Sequence, residues 1–156
     1  MSTPNPKNNL RRHQARCCAV QALYQWHFTR QLPKEIIQQF AEEGLLTQVD
    51  RNYFAKAVET TIAEQAVIDE YLAKQADRDI KQLNPVELAI LRLAIYELIH
   101  CPEVPYRVVV NEALEITKSY GATQGHKYVN AVLDRVSQEL RTHEKIKKPE
   151  VKKEGG

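Results

Sequence analysis

NPVELAILRLAIYELI, at residues 84–99, is the stretch with the strongest structural signal in this chain. Asn84 is a favourable helix N-cap, a proline follows at the first helical position, and Glu87 lies three residues after the cap. The remainder is apolar on nearly every side, and its only charged residues are Glu87, Arg92 and Glu97. A helix that is apolar all round is normally buried. The stretch therefore predicts the central helix of a helical bundle.

Helical signals continue on both sides of this stretch. From Leu10, apolar and small residues recur at helical spacing up to a break at Pro33, and Asp50 can cap a pattern that runs to about residue 75. Pro105 opens another helix, and no strand pattern rises above these signals. The sequence also predicts a short helix over 34–43, before Gly44, and a polar connector over 77–83. The helix that Pro105 opens should end at Tyr120, and Thr123 can cap the last helix. We therefore predict an all-α helical bundle of about six to seven helices.

The composition fits one globular domain. The chain has 156 residues, of which 43% are hydrophobic, so it can bury its own core. We expect a disordered arm over 1–9, one helical domain over 10–142 and a charged disordered tail over 143–156. There is no apolar run of the roughly 20 residues that span a bilayer, and no hydrophobic signal core. Three cysteines, two of them adjacent, argue against a secreted disulfide scaffold. These features predict a cytoplasmic protein without membrane contacts.

Charge is distributed unevenly, although the formal net charge is only +2. Residues 1–30 contain five basic and no acidic side chains, and residues 141–156 contain six basic and three acidic ones. Between them, residues 31–140 contain 17 acidic and 11 basic side chains. Such asymmetry favours a polyanionic partner at one end and a different partner elsewhere.

The sequence gives little support for an enzyme. His13 and Cys17 are four residues apart and could meet on a helix, but Cys18 belongs to the apolar stripe, which favours a structural role for both thiols. Glu112 and Glu115 form a helical pair of a kind that usually faces solvent. The chain contains no CxxC pair, no HExxH motif and no glycine-rich phosphate loop. We therefore predict no catalytic residue, no metal and no cofactor.

Two clusters of residues fit nucleic acid better. Arg11, Arg12 and Arg16 lie at the amino-terminal end of a helix, where the helix dipole makes cations unfavourable, so an anionic ligand explains them better than helix stability does. The second cluster combines cations, aromatic rings and polar groups, as single-stranded RNA sites do. Its members are Lys118, Ser119, Tyr120, Gly121, Gln124, His126, Lys127 and Tyr128. In the alternative interpretation, its two tyrosines are ordinary half-buried residues of a helix hairpin.

Four strings occur in a specific order and spacing: CAVQALY (18–24), ELAILRLAIYEL (87–98), VPYRVVVNEALEITKSYGA (104–122) and HKYVNAVLD (126–134). Together they resemble the NusB family of bacterial transcription antitermination factors, over nearly the whole predicted domain. The resemblance implies a fold of two small three-helix bundles and a non-enzymatic role. It also implies that the chain binds the boxA element of nascent ribosomal RNA together with NusE, a small-subunit ribosomal protein. The pair would help to assemble an antitermination complex on RNA polymerase.

The resemblance also assigns an RNA surface. The family's arginine-rich motif corresponds to the first cluster, in which His13 and Gln14 stand where arginines often occur. This departure predicts weaker RNA binding by the arm or a stronger dependence on NusE. The RNA-binding residues that the resemblance implies are Arg11, Arg12, Arg16, Lys118, Tyr120, Gln124, Lys127 and Tyr128.

Tyr24 and Glu87 correspond to the family's NusE-facing surface. Tyr24 lies off the apolar stripe and Glu87 is a charge on an apolar helix, so an interface suits both, although Glu87 also fits a capping box. Apolar surface could also form a homodimer when NusE is absent. Two other interpretations stay open: a helical RNA-binding domain of the kind that accompanies ribosomal RNA methyltransferases, and a helical adaptor without an RNA role.

Overall fold

The computed structural model describes residues 6–120 and 123–144, apart from the side chains of residues 123, 124 and 143. Within these ranges it contains seven α-helices, two short 3₁₀ turns and no strand, which confirms the predicted all-α fold. The helices are α1 (Pro6–Thr29), α2 (Pro33–Glu42), α3 (Arg51–Ala63), α4 (Gln65–Gln75), α5 (Pro85–His100), α6 (Tyr106–Ser119) and α7 (Thr123–Leu140), and the 3₁₀ turns are Ile80–Gln82 and Thr142–Glu144. Among the helices described, none is long and apolar enough to cross a membrane.

α5 is the central helix of the structure, as its sequence predicts. At its start, the side chain of Asn84 accepts a hydrogen bond from the backbone N–H of Val86 (2.8 Å). Every residue from Leu88 to Leu98 is buried, including the charged Arg92 and Glu97. The helix contacts α1, α3, α4, α6 and α7. The hydrophobic core is therefore built around α5, because each neighbouring helix turns an apolar face toward it.

The helices form two small bundles that share this core. α1, α2 and α3 pack against one another, and α5, α6 and α7 do the same. α4 lies against α5 and α7. Because α5 also contacts α1 and α3, the two bundles are joined along its length. This arrangement confirms the pair of sub-bundles that the sequence resemblance implies.

Two helix boundaries differ from the prediction. α1 begins at Pro6 rather than Leu10, so its first turn lies in the stretch expected to be disordered. The helical pattern predicted from Asp50 to about residue 75 is divided at Glu64, which ends α3 and precedes α4. The carboxylate of Glu64 lies 2.7 Å from the ring of His100 at the end of α5. This contact joins residues far apart in the chain, so the local periodicity of the sequence could not reveal it.

Candidate nucleic-acid interface

A polar cavity of about 910 Å³ lies at the amino-terminal end of α1. Arg11, Arg12 and Arg16 all line it, so the structure brings the predicted arginine cluster to one place. The segment between α2 and α3 is held here because the backbone N–H of Asp50 donates to the carbonyl oxygen of Arg11 (3.1 Å). This cavity is named the amino-terminal groove, and its other lining residues are Asn8, Asn9, Leu46, Thr47, Val49, Asp50, Arg51, Asn52, Glu103, Val104, Pro105, Val108 and Glu112.

Arg11 and Arg12 are accessible from solvent in this groove. Arg11 is exposed, and the side chain of Arg12 retains 37% of its accessible surface. The Arg12 guanidinium lies over the ring of Tyr53, 4.0 Å from its centroid, and its Nε is 3.5 Å from the carboxylate of Asp50. A cation–π contact fixes the plane of a guanidinium while its five N–H donors stay at the edges of that plane. Both arginines therefore keep side-chain surface open to solvent in the groove, although the Nε of Arg12 is itself buried.

Arg16, by contrast, is only 4% exposed. Its Nε donates to both carboxylate oxygens of Glu97 (3.1 and 2.9 Å), and its Nη1 lies 3.3 Å from the carboxylate of Glu112. The hydroxyl of Tyr53 donates to the same Glu97 carboxylate. The guanidinium that the sequence resemblance assigns to RNA is thus enclosed in the core, where it ties α1 to α5 and α6.

Arg16, Glu97 and Tyr53 form a buried cluster in which burial and ion pairing shift the pKa values of Arg16 and Glu97 in opposite directions. Burial raises the pKa of Glu97, against the influence of Arg16 and Tyr53. Burial would lower the pKa of Arg16, but Glu97, Tyr53 and Glu112 together raise it. The pKa of Tyr53 is raised by burial and then by Glu97. The cluster therefore combines a cationic guanidinium and a neutral phenol, both of which donate to one carboxylate.

His13 also joins α1 to α6. Its Nδ1 lies 2.6 Å from the carboxylate of Glu112, and its Nε2 lies 3.5 Å from the thiol of Cys17. The His13–Cys17 pair therefore meets, as helical spacing predicts. Burial is the main reason that the pKa of the Cys17 thiol is raised, which is opposite in direction to the shift that activates a nucleophilic cysteine. In the described ranges, no three His, Cys, Asp or Glu side chains are arranged to hold a metal ion.

The second cluster is divided between two places, and Tyr120 marks the first. Tyr120 directly follows α6 and is 46% exposed. Burial and then the thiols of Cys17 and Cys18 raise the pKa of its hydroxyl. Lys118, in the last turn of α6, is exposed nearby in the chain. Tyr120 therefore offers a partly exposed ring at the other end of α6 from the amino-terminal groove.

Tyr128 marks the second place, on α7. Its ring is half-buried, and the guanidinium of Arg78 lies 4.1 Å from the ring centroid. Its hydroxyl is buried, with no hydrogen-bond partner among the described residues. Lys127 is exposed, whereas the side chain of Gln124, in the first turn of α7, lies outside the described residues. Because Arg78 covers one face of the ring, Tyr128 is a poorer stacking platform than Tyr120.

The two residues assigned to a protein partner lie on different helices, Tyr24 on α1 and Glu87 in the first turn of α5. Tyr24 is 41% exposed on α1 and makes an edge-to-face contact with Phe28, whose ring centroid is 5.1 Å away. Sequence reasoning missed Phe28, which is 61% exposed. The available signal was its spacing of four residues from Tyr24, which brings two side chains together on the surface of a helix. Glu87 is partly buried and lines a small cavity of about 150 Å³ together with Tyr120. One residue of each predicted surface therefore borders the same cavity.

Sequence comparison identifies a protein family and individual proteins that are similar to this chain. Residues 13–138 match the NusB family. The chain is 54% identical over 133 residues to the transcription antitermination protein NusB of Coxiella burnetii (strain Dugway 5J108-111), an alignment that covers 85% of this chain and 96% of that protein. It is 45% identical over 139 residues to the protein of the same name from Pseudomonas fluorescens (strain Pf0-1), with 89% and 84% covered.

Solved structures support the same relationship. NusB of T. maritima superposes with a TM-score of 0.74 at 28% sequence identity, over 93% of this chain and 98% of that one. A structure of the antitermination factors NusB and NusE in complex with dsRNA contains a chain that superposes equally well, at 28% identity over 81% of this chain and 96% of that one. Because family match, sequence identity and fold all agree over most of its length, this chain belongs to the NusB family.

Proposed function

We propose that this chain is a cytoplasmic transcription antitermination factor that binds boxA RNA together with NusE. In this role it helps to assemble the antitermination complex on RNA polymerase. The observation that carries the proposal is that Tyr120 and Glu87, from the predicted RNA and NusE surfaces, line one cavity. The similar structure that contains NusB, NusE and dsRNA supports simultaneous binding of both partners. We expect the two partners to bind cooperatively, because each would border the site of the other.

The RNA surface in this proposal runs along α1 and α6. Val108 and Glu112 of α6 line the amino-terminal groove, and Tyr120 follows the end of the same helix. Twelve residues of helix rise about 18 Å, so the groove and the ring of Tyr120 lie about that far apart along the axis of α6. Arg11 and Arg12 would contact phosphates at the first end, and Tyr120 would stack on a base at the second. Arg16 acts as a positioning residue that holds α1 in place.

A titration of labelled boxA RNA, with and without NusE, tests this proposal. We expect single-stranded boxA RNA to bind more tightly than its duplex, because stacking on Tyr120 needs an unpaired base. NusE should strengthen this binding, and unrelated RNA should bind more weakly. Equal affinity for boxA and unrelated RNA, unaffected by NusE, would contradict the proposal.

Two tyrosines of similar exposure separate the RNA surface from the partner surface. Tyr120→Ala should weaken RNA binding by about 1–3 kcal/mol, because a stacked base loses its platform. Tyr24→Ala is the matched control: it should leave the RNA affinity of the free protein unchanged and weaken the binding of NusE. Fluorescence anisotropy measures the first effect and calorimetry the second, while circular dichroism confirms the fold. Normal RNA binding by Tyr120→Ala would make this ring structural only.

The charge of Glu87 tests the partner side by itself. Glu87→Lys should impair NusE binding, since it reverses a charge at the proposed interface. Because Asn84 provides the cap bond at the start of α5, the helix should remain intact. A folded Glu87→Lys variant that binds NusE normally would remove this residue from the interface.

A further inference from the structure

Arg51 is a fourth arginine that lines the amino-terminal groove. It stands at the first position of α3, directly after the N-cap residue Asp50. The backbone N–H of Asp50 donates to the carbonyl oxygen of Arg11, and the Asp50 carboxylate lies 3.5 Å from the Nε of Arg12. The start of α3 is therefore held against the arginine-bearing end of α1. Because Arg51 lies in the acidic middle of the chain, the charge asymmetry of the sequence does not reveal it.

The four arginines of the groove are not equally available to a ligand. Arg16 is buried, and Arg12 lies beside the carboxylate of Asp50 with its Nε buried. Arg51 is exposed and, like Arg11, forms no ion pair with any of the described residues. An unpaired guanidinium attracts an anion more strongly than one whose charge a carboxylate already balances. Half of the arginine charge that faces a ligand in this groove therefore comes from α3.

A single hydrogen bond positions the side chain of Arg51 and leaves most of its donors unused. Its Nε donates to the carbonyl oxygen of Leu46 (3.1 Å), in the segment between α2 and α3. A guanidinium has five N–H donors, so four remain on the two Nη atoms, and none of these bonds to another described residue. Such donors can form paired hydrogen bonds to phosphate oxygens. Because the side chain is already held at Nε, it loses less conformational entropy when it binds.

Helix stability does not account for an arginine at this position. The first turn of α3 contains no acidic side chain, and a cation there opposes the positive end of the helix dipole. An anion bound beside Arg51 would interact favourably with the guanidinium and with the dipole together. The position of this arginine is therefore better explained by an anionic ligand in the groove.

We propose that Arg51 binds an RNA phosphate and that the start of α3 is a second phosphate-binding element of the amino-terminal groove. Arg11 on α1 and Arg51 on α3 contact the RNA backbone from two helices, which the bond between Asp50 and Arg11 holds together. A phosphate contact carries no sequence information, so Arg51 adds affinity for any RNA rather than a preference for one. The inference rests on the proposed function, because RNA is the polyanion concerned.

Salt titrations of the full chain test this assignment. Labelled boxA RNA and an unrelated RNA are titrated by fluorescence anisotropy at several salt concentrations, and circular dichroism confirms that each variant is folded. Arg51→Ala should lower the log–log salt slope by about 0.7 for both RNAs, since one phosphate contact is lost. Its deficit in affinity should therefore shrink about 2.6-fold between roughly 50 and 200 mM salt. Lys56→Ala, the matched control, removes an exposed charge of α3 that does not line the groove, and it should leave the slope unchanged.

Arg51→Lys separates the charge of Arg51 from its bond to Leu46. Lysine keeps the charge but lacks the Nε–H that donates to the Leu46 carbonyl oxygen. The variant should retain the salt slope of the unmodified chain and bind both RNAs more weakly, because paired hydrogen bonds to phosphate are lost. If Arg51→Lys lost as much slope as Arg51→Ala, the effect would come from the bond to Leu46 and the assignment would be overturned.

The outcomes separate this inference from the proposed function. If Arg51→Ala keeps the full slope, or if Lys56→Ala loses as much, the assignment of Arg51 is overturned while the proposed function stands. If the unmodified chain binds boxA and unrelated RNA equally and without an effect of NusE, the proposed function fails. The salt slope of Arg51→Ala on either RNA then still decides whether Arg51 contacts phosphate. If the unmodified chain binds neither RNA, both proposals fail.

Discussion

Arg12 and Arg16 lie one turn apart on α1 and carry the same charge, yet their environments are opposite. The side chain of Arg12 is 37% exposed in the amino-terminal groove, whereas that of Arg16 is 5% exposed and enclosed by carboxylates. Two positions one turn apart on the same helix therefore lie in different environments: Arg12 is at the surface and Arg16 is in the core. What separates them is the set of residues that α3, α5 and α6 bring against each one. A cluster of arginines in a sequence is thus not one functional unit.

Tyr53 links the two environments. Its ring lies under the guanidinium of Arg12, and its hydroxyl donates to the carboxylate of Glu97, which also pairs with Arg16. One side chain of α3 thus supports the accessible arginine and completes the buried cluster. We expect substitutions in the buried cluster of Tyr53, Glu97 and Arg16 to alter stability. Substitution of Arg12, which lies over the Tyr53 ring, should instead alter RNA binding, so the two effects can be measured separately.

The largest expected effect is that of Arg16→Ala on stability. The substitution leaves Glu97 buried without its cation, and breaking a buried pair in this way typically costs about 3–5 kcal/mol. The free energy of unfolding should decrease by that amount in urea denaturation monitored by circular dichroism. Arg12→Ala is the control, because its side chain is partly exposed and should cost far less. Equal losses in the two variants would abolish the distinction between them.

Much of the fold could be predicted because its signals are local. Asn84 and Asp50 accept bonds from backbone N–H groups two and three residues ahead, and α5 is apolar on all sides. The break at Glu64 could not be predicted, because neither glycine nor proline marks it. There the backbone leaves the helix at a residue whose side chain bonds to His100, 36 residues away.

The candidate site could be predicted only in part, for the same physical reason. Charge asymmetry drew attention to the arginines, and the structure brings all three to one groove. Sequence could not show that Arg16 is buried, because its partner Glu97 lies 81 residues away. Tyr53 carried no signal either, since its contacts with Arg12 and Glu97 exist only once α1, α3 and α5 have packed.

Tyr53→Phe should reduce stability less than Arg16→Ala does, and it tests whether the environments of Arg12 and Arg16 are separate. It removes one donor from the buried carboxylate of Glu97 but keeps the ring under Arg12. A buried acceptor that loses a donor costs about 1–2 kcal/mol of stability. RNA affinity and its salt dependence should stay unchanged, as measured by anisotropy under conditions where the variant is folded. A loss of RNA affinity without a loss of stability would show that the hydroxyl serves the surface instead of the core.

Arg11→Ala should have the smallest effect on stability and act only on RNA binding. Arg11 is exposed, so urea denaturation should not distinguish the variant from the unmodified chain. One lost phosphate contact should lower the log–log salt slope of RNA binding by about 0.7 and weaken all RNA sequences alike. Gln14→Ala, an exposed neutral side chain on the next turn of α1, is the control and should leave the slope unchanged. If Arg11→Ala retained the full slope, Arg11 would not contact phosphate, and phosphate binding at this end of α1 would then have to come from Arg12, whose side chain is also partly exposed.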